Sequence, residues 1–218
     1  MTHRTLSLAL TAVLTGVAVS AFEPTMSAKL IDEAVLIGQN RIEATHARYH
    51  QPYRLRVARA PIDFIDVVTP FRRVVLLAEE RAQGGNRGFT QREAAAALGD
   101  RAGVIELRIE LTFHPLNAYV GVPAYEVELA TTTSPPTRLA PREVARIPRF
   151  GARTETGPLP SPPGSPLNQP GVSQPLSGGT IVAGFPIDTL DGAGAYDVVV
   201  TEKGKELART RVAFGMLR

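Results

Sequence analysis

Leu190-Asp191-Gly192-Ala193-Gly194-Ala195-Tyr196-Asp197-Val198-Val199-Val200 opens the stretch that decides the fold, which then turns at Lys203-Gly204 and runs on to Phe214. Gly192 and Gly194 make a tight corner. Val198, Val199 and Val200 are β-branched and favour an extended, packed backbone. Lys203-Gly204 supplies a short turn of the kind that joins antiparallel strands. The reading is a hairpin with strands over 195–202 and 206–214, entered through the corner.

Outward from the hairpin, the same alternation recurs. Ile105, Leu107, Ile109, Leu111 and Phe113 alternate with Glu106, Arg108, Glu110 and Thr112, which gives one buried and one solvated face. Tyr125, Val127 and Leu129 repeat the pattern against Glu126 and Glu128. Residues 180–186 form the strand before the corner, and Val144 to Ile147 a short one between Pro141 and Pro148. Tyr53 to Thr69 is extended, either as one bent strand or as two short ones around Pro61.

Two segments are helical. From Ser27 to Arg48, Leu30, Ile31, Ala34, Val35, Gly38 and Ile42 recur at helical spacing, and Pro52 closes the segment. Thr69-Pro70 is a helix start, with a hydroxyl cap and a proline whose missing N–H costs nothing there. A second helix starts at Thr90, where Thr90 and Glu93 form a capping box, and stops at Gly99. Residues 70–99 are thus an αα-hairpin around Gly84-Gly85-Asn86-Arg87-Gly88.

Taken with Phe185-Pro186 and Leu190 before it, the Gly194-Ala195-Tyr196-Asp197-Val198 corner resembles the E-to-F corner of immunoglobulin-like and fibronectin type III-like domains, over residues 180–214. The resemblance implies a β-sandwich, and a Tyr196 hydroxyl bonded back to the backbone at the corner. Val198 stands where antibody domains carry a Cys. A fold resemblance carries no activity.

The expected fold class is therefore mainly β: an immunoglobulin-like antiparallel β-sandwich with an N-terminal helix and an inserted αα-hairpin. Residues 22–52 form the N-terminal helical segment and 53–218 the sandwich. Within the sandwich, 154–179 is a Pro/Gly/Ser-rich loop too poor in apolar residues to offset its ordering entropy. If strands before and after this tract belong to separate units, it is a linker instead.

The N-terminus reads as an address. His3 and Arg4 precede a mostly apolar run from Leu6 to Val19, and Val19-Ser20-Ala21 offers small residues for cleavage. This is the pattern of a secretory signal peptide over 1–21, and the run is short for a membrane-spanning helix, which needs about 20 residues. The expected location is secreted or periplasmic, with no transmembrane segment after cleavage. With Cys 0, disulfides, thiol catalysis and thiolate metal sites are excluded.

The net charge of +3 is concentrated in one region. Arg138, Arg142, Arg146, Arg149 and Arg153 face a single Glu143 between 138 and 153. Such a series suits an anionic surface or an acidic protein face, and equally a solvated segment, since Pro141 and Pro148 interrupt any helix that would align it. The charge is too local for a nucleic-acid-binding body. Glu43, His46 and His50, at spacings of three and four, share a helical face that can hold a metal, with His114 as a third imidazole; the plain alternative is a polar face at a helix end. No nucleophile elbow, phosphate loop or dinucleotide fingerprint occurs. The sequence thus points to an exported, non-enzymatic binding or structural module of the cell envelope without a cofactor. The second reading is a metal-binding protein or metal-dependent enzyme built on Glu43, His46, His50 and His114.

Overall fold

The structure, a computed structural model, describes residues 25–151 and 175–218. The segment expected to be a signal peptide, Arg153 and most of the Pro-rich tract lie outside the described residues.

Strand outweighs helix, and the strands form two antiparallel sheets. In the first sheet the order is β1 (Arg54–Arg59), β2 (Ile62–Val68), β3 (Val104–Thr112), β7 (Leu176–Pro186) and β6 (Glu143–Phe150). In the second it is β5 (Arg138–Leu139), β4 (Glu126–Thr131), β8 (Ala195–Glu202) and β9 (Lys205–Ala213). The chain passes between sheets after β3, after β5 and after β7, and β1 lies beside β9 at one margin. Alternation works as read: Ile105, Leu107, Ile109 and Leu111 of β3 are fully buried, together with Ile181, Ala183 and Phe185 of β7. Val127 and Leu129 of β4 and Val198 and Val200 of β8 join the same cluster from the second sheet.

The β8–β9 turn falls at Lys203 and Gly204, both with positive φ (50° and 78°), the backbone that a two-residue hairpin of native twist requires. Before β8, the Tyr196 hydroxyl accepts a hydrogen bond from the Asp191 N–H at 2.7 Å.

The helices build a second cluster. α1 (Ala28–Gly38), α3 (Pro70–Gln83) and α4 (Gln91–Leu98) pack Ile31, Val35, Phe71, Val74, Val75, Phe89 and Leu98 together. Thr69 caps α3, and the Thr90–Glu93 capping box opens α4. Gly38 lets α1 approach α3 closely, since a Cβ there would overlap the Val75 carbonyl and the Ala78 side chain.

Three expectations need correction. The segment 27–48 is two helices: α1 ends at Gly38, Asn40 turns the chain by accepting from the Ile42 N–H, and α2 (Glu43–His50) follows. The loop expected up to residue 179 ends earlier, because β7 starts at the buried Leu176. The strand expected over 144–147 runs the full length of β6 with Pro148 inside it, which an edge strand tolerates because one side of its backbone has no ladder to complete.

Candidate functional site

One end of the two sheets gathers the features most suited to binding. β3 ends at Thr112, opposite Gly178 near the start of β7, and β6 ends at Phe150, opposite Leu176. β4 begins at Glu126, opposite Thr201 near the end of β8. The β3–β4 connection, the end of β6 and the β8–β9 turn therefore meet at the same end.

The β3–β4 connection is fastened to the sheet. The Phe113 N–H donates to the Ser177 carbonyl, and the Asn117 amide donates to the carbonyls of His114 and Leu176 at 2.7 and 2.9 Å. Asn117 also accepts from the Tyr119 N–H, and the rings of Phe113 and Tyr119 lie 4.9 Å apart. Val122 fills the space above Gly179. Burial, Tyr119 and the nearby Glu202 push the Tyr125 phenol above its ordinary range, so it stays neutral.

This fixed loop turns apolar side chains outward. Val120 is 95% exposed, Leu116 81% and Tyr119 43%, and Phe150 at the end of β6 is 52% exposed. A contiguous exposed apolar surface is the usual mark of a contact site, whereas scattered single residues are not. Burying such a side chain contributes about 1.5–3 kcal/mol.

The expected metal residues are split. His46 Nδ1 and His50 Nε2 both meet Glu79 Oε1, at 3.2 and 2.7 Å. Arg72 Nε donates to His50 Nδ1 at 3.3 Å, so the His50 proton sits on Nε2 and is donated to Glu79, the pattern of a neutral imidazole. His46 Nε2 is buried without a partner. Glu43 is exposed at the start of α2, and its expected place beside the imidazoles belongs to Glu79. His114 lies beyond the far end of β3, where its Nδ1 accepts from the Leu116 N–H. Among the described residues no group of three or more His, Asp or Glu side chains is arranged to hold a metal ion.

The arginines are likewise dispersed, because successive strand residues face opposite sides. Arg138 pairs with Glu128 at 2.8 Å, and Arg146 donates to the Tyr125 carbonyl at 3.1 Å. Arg149 lies across Gly178 to reach the Leu111 carbonyl at 2.8 Å and Glu110 at 3.4 Å. Arg142 is exposed between β5 and β6.

Sequence reading missed Glu79, which lies 29 residues from His50, and missed the loop-end surface. The second had a visible signal: Leu116, Tyr119 and Val120 in a connection with no strand or helix period to bury them. Comparison of the chain with protein-family models, curated proteins and solved structures finds no match.

Proposed function

We propose that this chain is an exported binding module of the cell envelope with an immunoglobulin-like sandwich, which holds a protein partner at the loop end. Support for the fold comes from strand order. β2-β3-β7-β6 against β5-β4-β8-β9 corresponds to A-B-E-D against C′-C-F-G, with β1 as an addition. The Tyr196 bond lies at the corner between the E and F equivalents. In that assignment the β3–β4 connection is the B–C loop, a common recognition loop of such sandwiches, and it shares its end with the F–G turn.

The observation that carries the function is the outward display of Leu116, Tyr119 and Val120 from one anchored loop. A partner with a complementary apolar segment would bury them. Export rests on the signal-peptide pattern of residues 1–21, and the mature chain is expected to begin near Phe22.

Site-specific photo-crosslinking in envelope preparations tests the reading. A crosslinker at Val120 is expected to capture a defined partner, a crosslinker at Lys205 to do so less, and Leu116→Ser to abolish capture. Capture unaffected by Leu116→Ser but lost in Arg142→Gln or at high salt would overturn the apolar reading in favour of an anionic partner. N-terminal sequencing tests export, and a chain retaining Met1 in a membrane fraction would reject it.

A further inference from the structure

Away from the loop end, a cavity of about 210 Å³ opens between α3, α4 and β3. Arg73, Arg101 and Arg108 line it together with Leu76, Leu77 and Ala97. The guanidiniums converge on the buried Glu106, with Arg73 at 2.8 Å, Arg108 at 3.1 Å and Arg101 at 3.4 Å. Arg101 also pairs with Glu143, and the exposed Glu80 is a further carboxylate in the lining.

Charge is nearly balanced in this cluster, but hydrogen-bonding capacity is not. Three guanidiniums carry about fifteen N–H donors, while Glu106, Glu143 and Glu80 together accept about twelve. The shortfall falls on Arg73. Its Nη2 pairs with Glu106 at 2.8 Å, while the buried Nε has no acceptor. A buried charged donor without an acceptor is costly, and such groups usually find water or an anion.

We infer that this cavity binds a small organic oxyanion, with its carboxylate or phosphate oxygens among Arg73, Arg101 and Arg108 and a short apolar body against Leu76, Leu77 and Ala97. Guanidinium favours both heads because its planar donor fork matches their oxygen pairs. The apolar wall distinguishes an alkyl-bearing anion from a bare ion. The volume holds a head group with a few carbons.

The test uses the whole mature protein and four probes: butyrate, butyl phosphate, acetate and inorganic phosphate, each against sodium chloride at equal ionic strength. A ligand that binds only the folded state raises the melting temperature. Butyrate or butyl phosphate is expected to raise it by several degrees and to give a saturable titration by calorimetry, and which of them does so identifies the head. Acetate and phosphate are expected to give less than half that shift.

Ala97→Phe fills the cavity and leaves every charge in place, and Ala97 is exposed, so the variant should fold. Arg101→Gln removes a half-exposed guanidinium that is the farthest of the three from Glu106, which keeps Arg73 and Arg108. Both variants should lose the alkyl-anion shift while melting near the wild type without ligand. The inference is overturned if no probe exceeds chloride, if acetate or phosphate matches its alkyl counterpart, or if the shift survives Ala97→Phe.

Discussion

The Tyr196 hydroxyl and the Asp191 N–H, five residues apart, close the corner before β8 with a 2.7 Å hydrogen bond. The Tyr196 ring also packs 5.4 Å from that of Phe214, so one side chain ties the corner to the end of β9. Tyr196→Phe keeps the ring and removes the acceptor. It should destabilise by about 1 kcal/mol, the usual net value of a single hydrogen bond. Asp197→Ala, on the other face of β8, breaks ion pairs to the exposed Arg209 and Arg211 and should cost less than half as much. Urea titration of both variants measures this, and equal losses would reject the corner as a distinct support.

Features whose partners are close in sequence were legible in it. Tyr196, the Lys203-Gly204 turn and the Thr90–Glu93 box each satisfy their geometry within a few residues. β5 was not legible, because two residues, Arg138 and Leu139, become a strand only through pairing with Ala130 and Leu129. The start of β7 was hidden by Gly178 and Gly179, which read as loop residues but are required by what crosses them: Arg149 over the first and Val122 over the second. Glu79, His46 and His50 meet through packing of α2 on α3, and the Arg73–Glu106 cluster through docking of α3 on β3. No local pattern encodes either meeting.

Gly178 carries a direct prediction. A Cβ there would press on the Leu111 carbonyl and the Arg149 guanidinium, and the backbone carbonyl cannot move away without disturbing the β3–β7 ladder. Gly178→Ala should therefore cost about 1–3 kcal/mol, the range for overpacking. At Gly103 a Cβ meets nothing within 4 Å, so Gly103→Ala is the control and should be near neutral. Chemical denaturation of the pair provides the comparison.

Glu106 governs the response to acid. Burial alone pushes its carboxyl up, but Arg73 and Arg108 outweigh that and hold it below the ordinary carboxylate range. The folded state therefore favours the charged form. Its contribution is complete above the unfolded carboxylate pKa of about 4.3 and is lost as pH falls through the lower folded value. Glu106→Gln leaves Arg73 buried without its counter-charge and should cost about 3 kcal/mol near pH 7. The gap between wild type and variant should narrow below pH 4. A gap unchanged at pH 3 would mean that shape, not charge, is the cause.

The docking of α2 combines one packed ring with polar contacts. None of its residues is fully buried, and Tyr49 is the one that packs against the apolar clusters. It is also held by Glu79, which serves His46 and His50 with one oxygen, together with the contact between the Tyr49 and Tyr53 hydroxyls at 3.2 Å. Burial pushes the Tyr49 phenol far above its ordinary value, so that contact does not titrate near neutral pH. Glu79→Ala removes the shared acceptor, and loss of hydrogen bonds to a charged group costs about 1.5–3 kcal/mol. Because α2 adds only the partly buried Tyr49 to the apolar clusters, the loss should appear as local opening rather than global unfolding. Amide exchange over residues 43–50 should quicken by about tenfold or more, while β3, with its fully buried Ile105, Leu107 and Ile109, should be little changed. Glu79→Gln can still accept from one imidazole and should fall between wild type and Glu79→Ala. Exchange that accelerates equally in α2 and β3 would show that the His46–Glu79–His50 contact supports the whole fold rather than the docking of one helix.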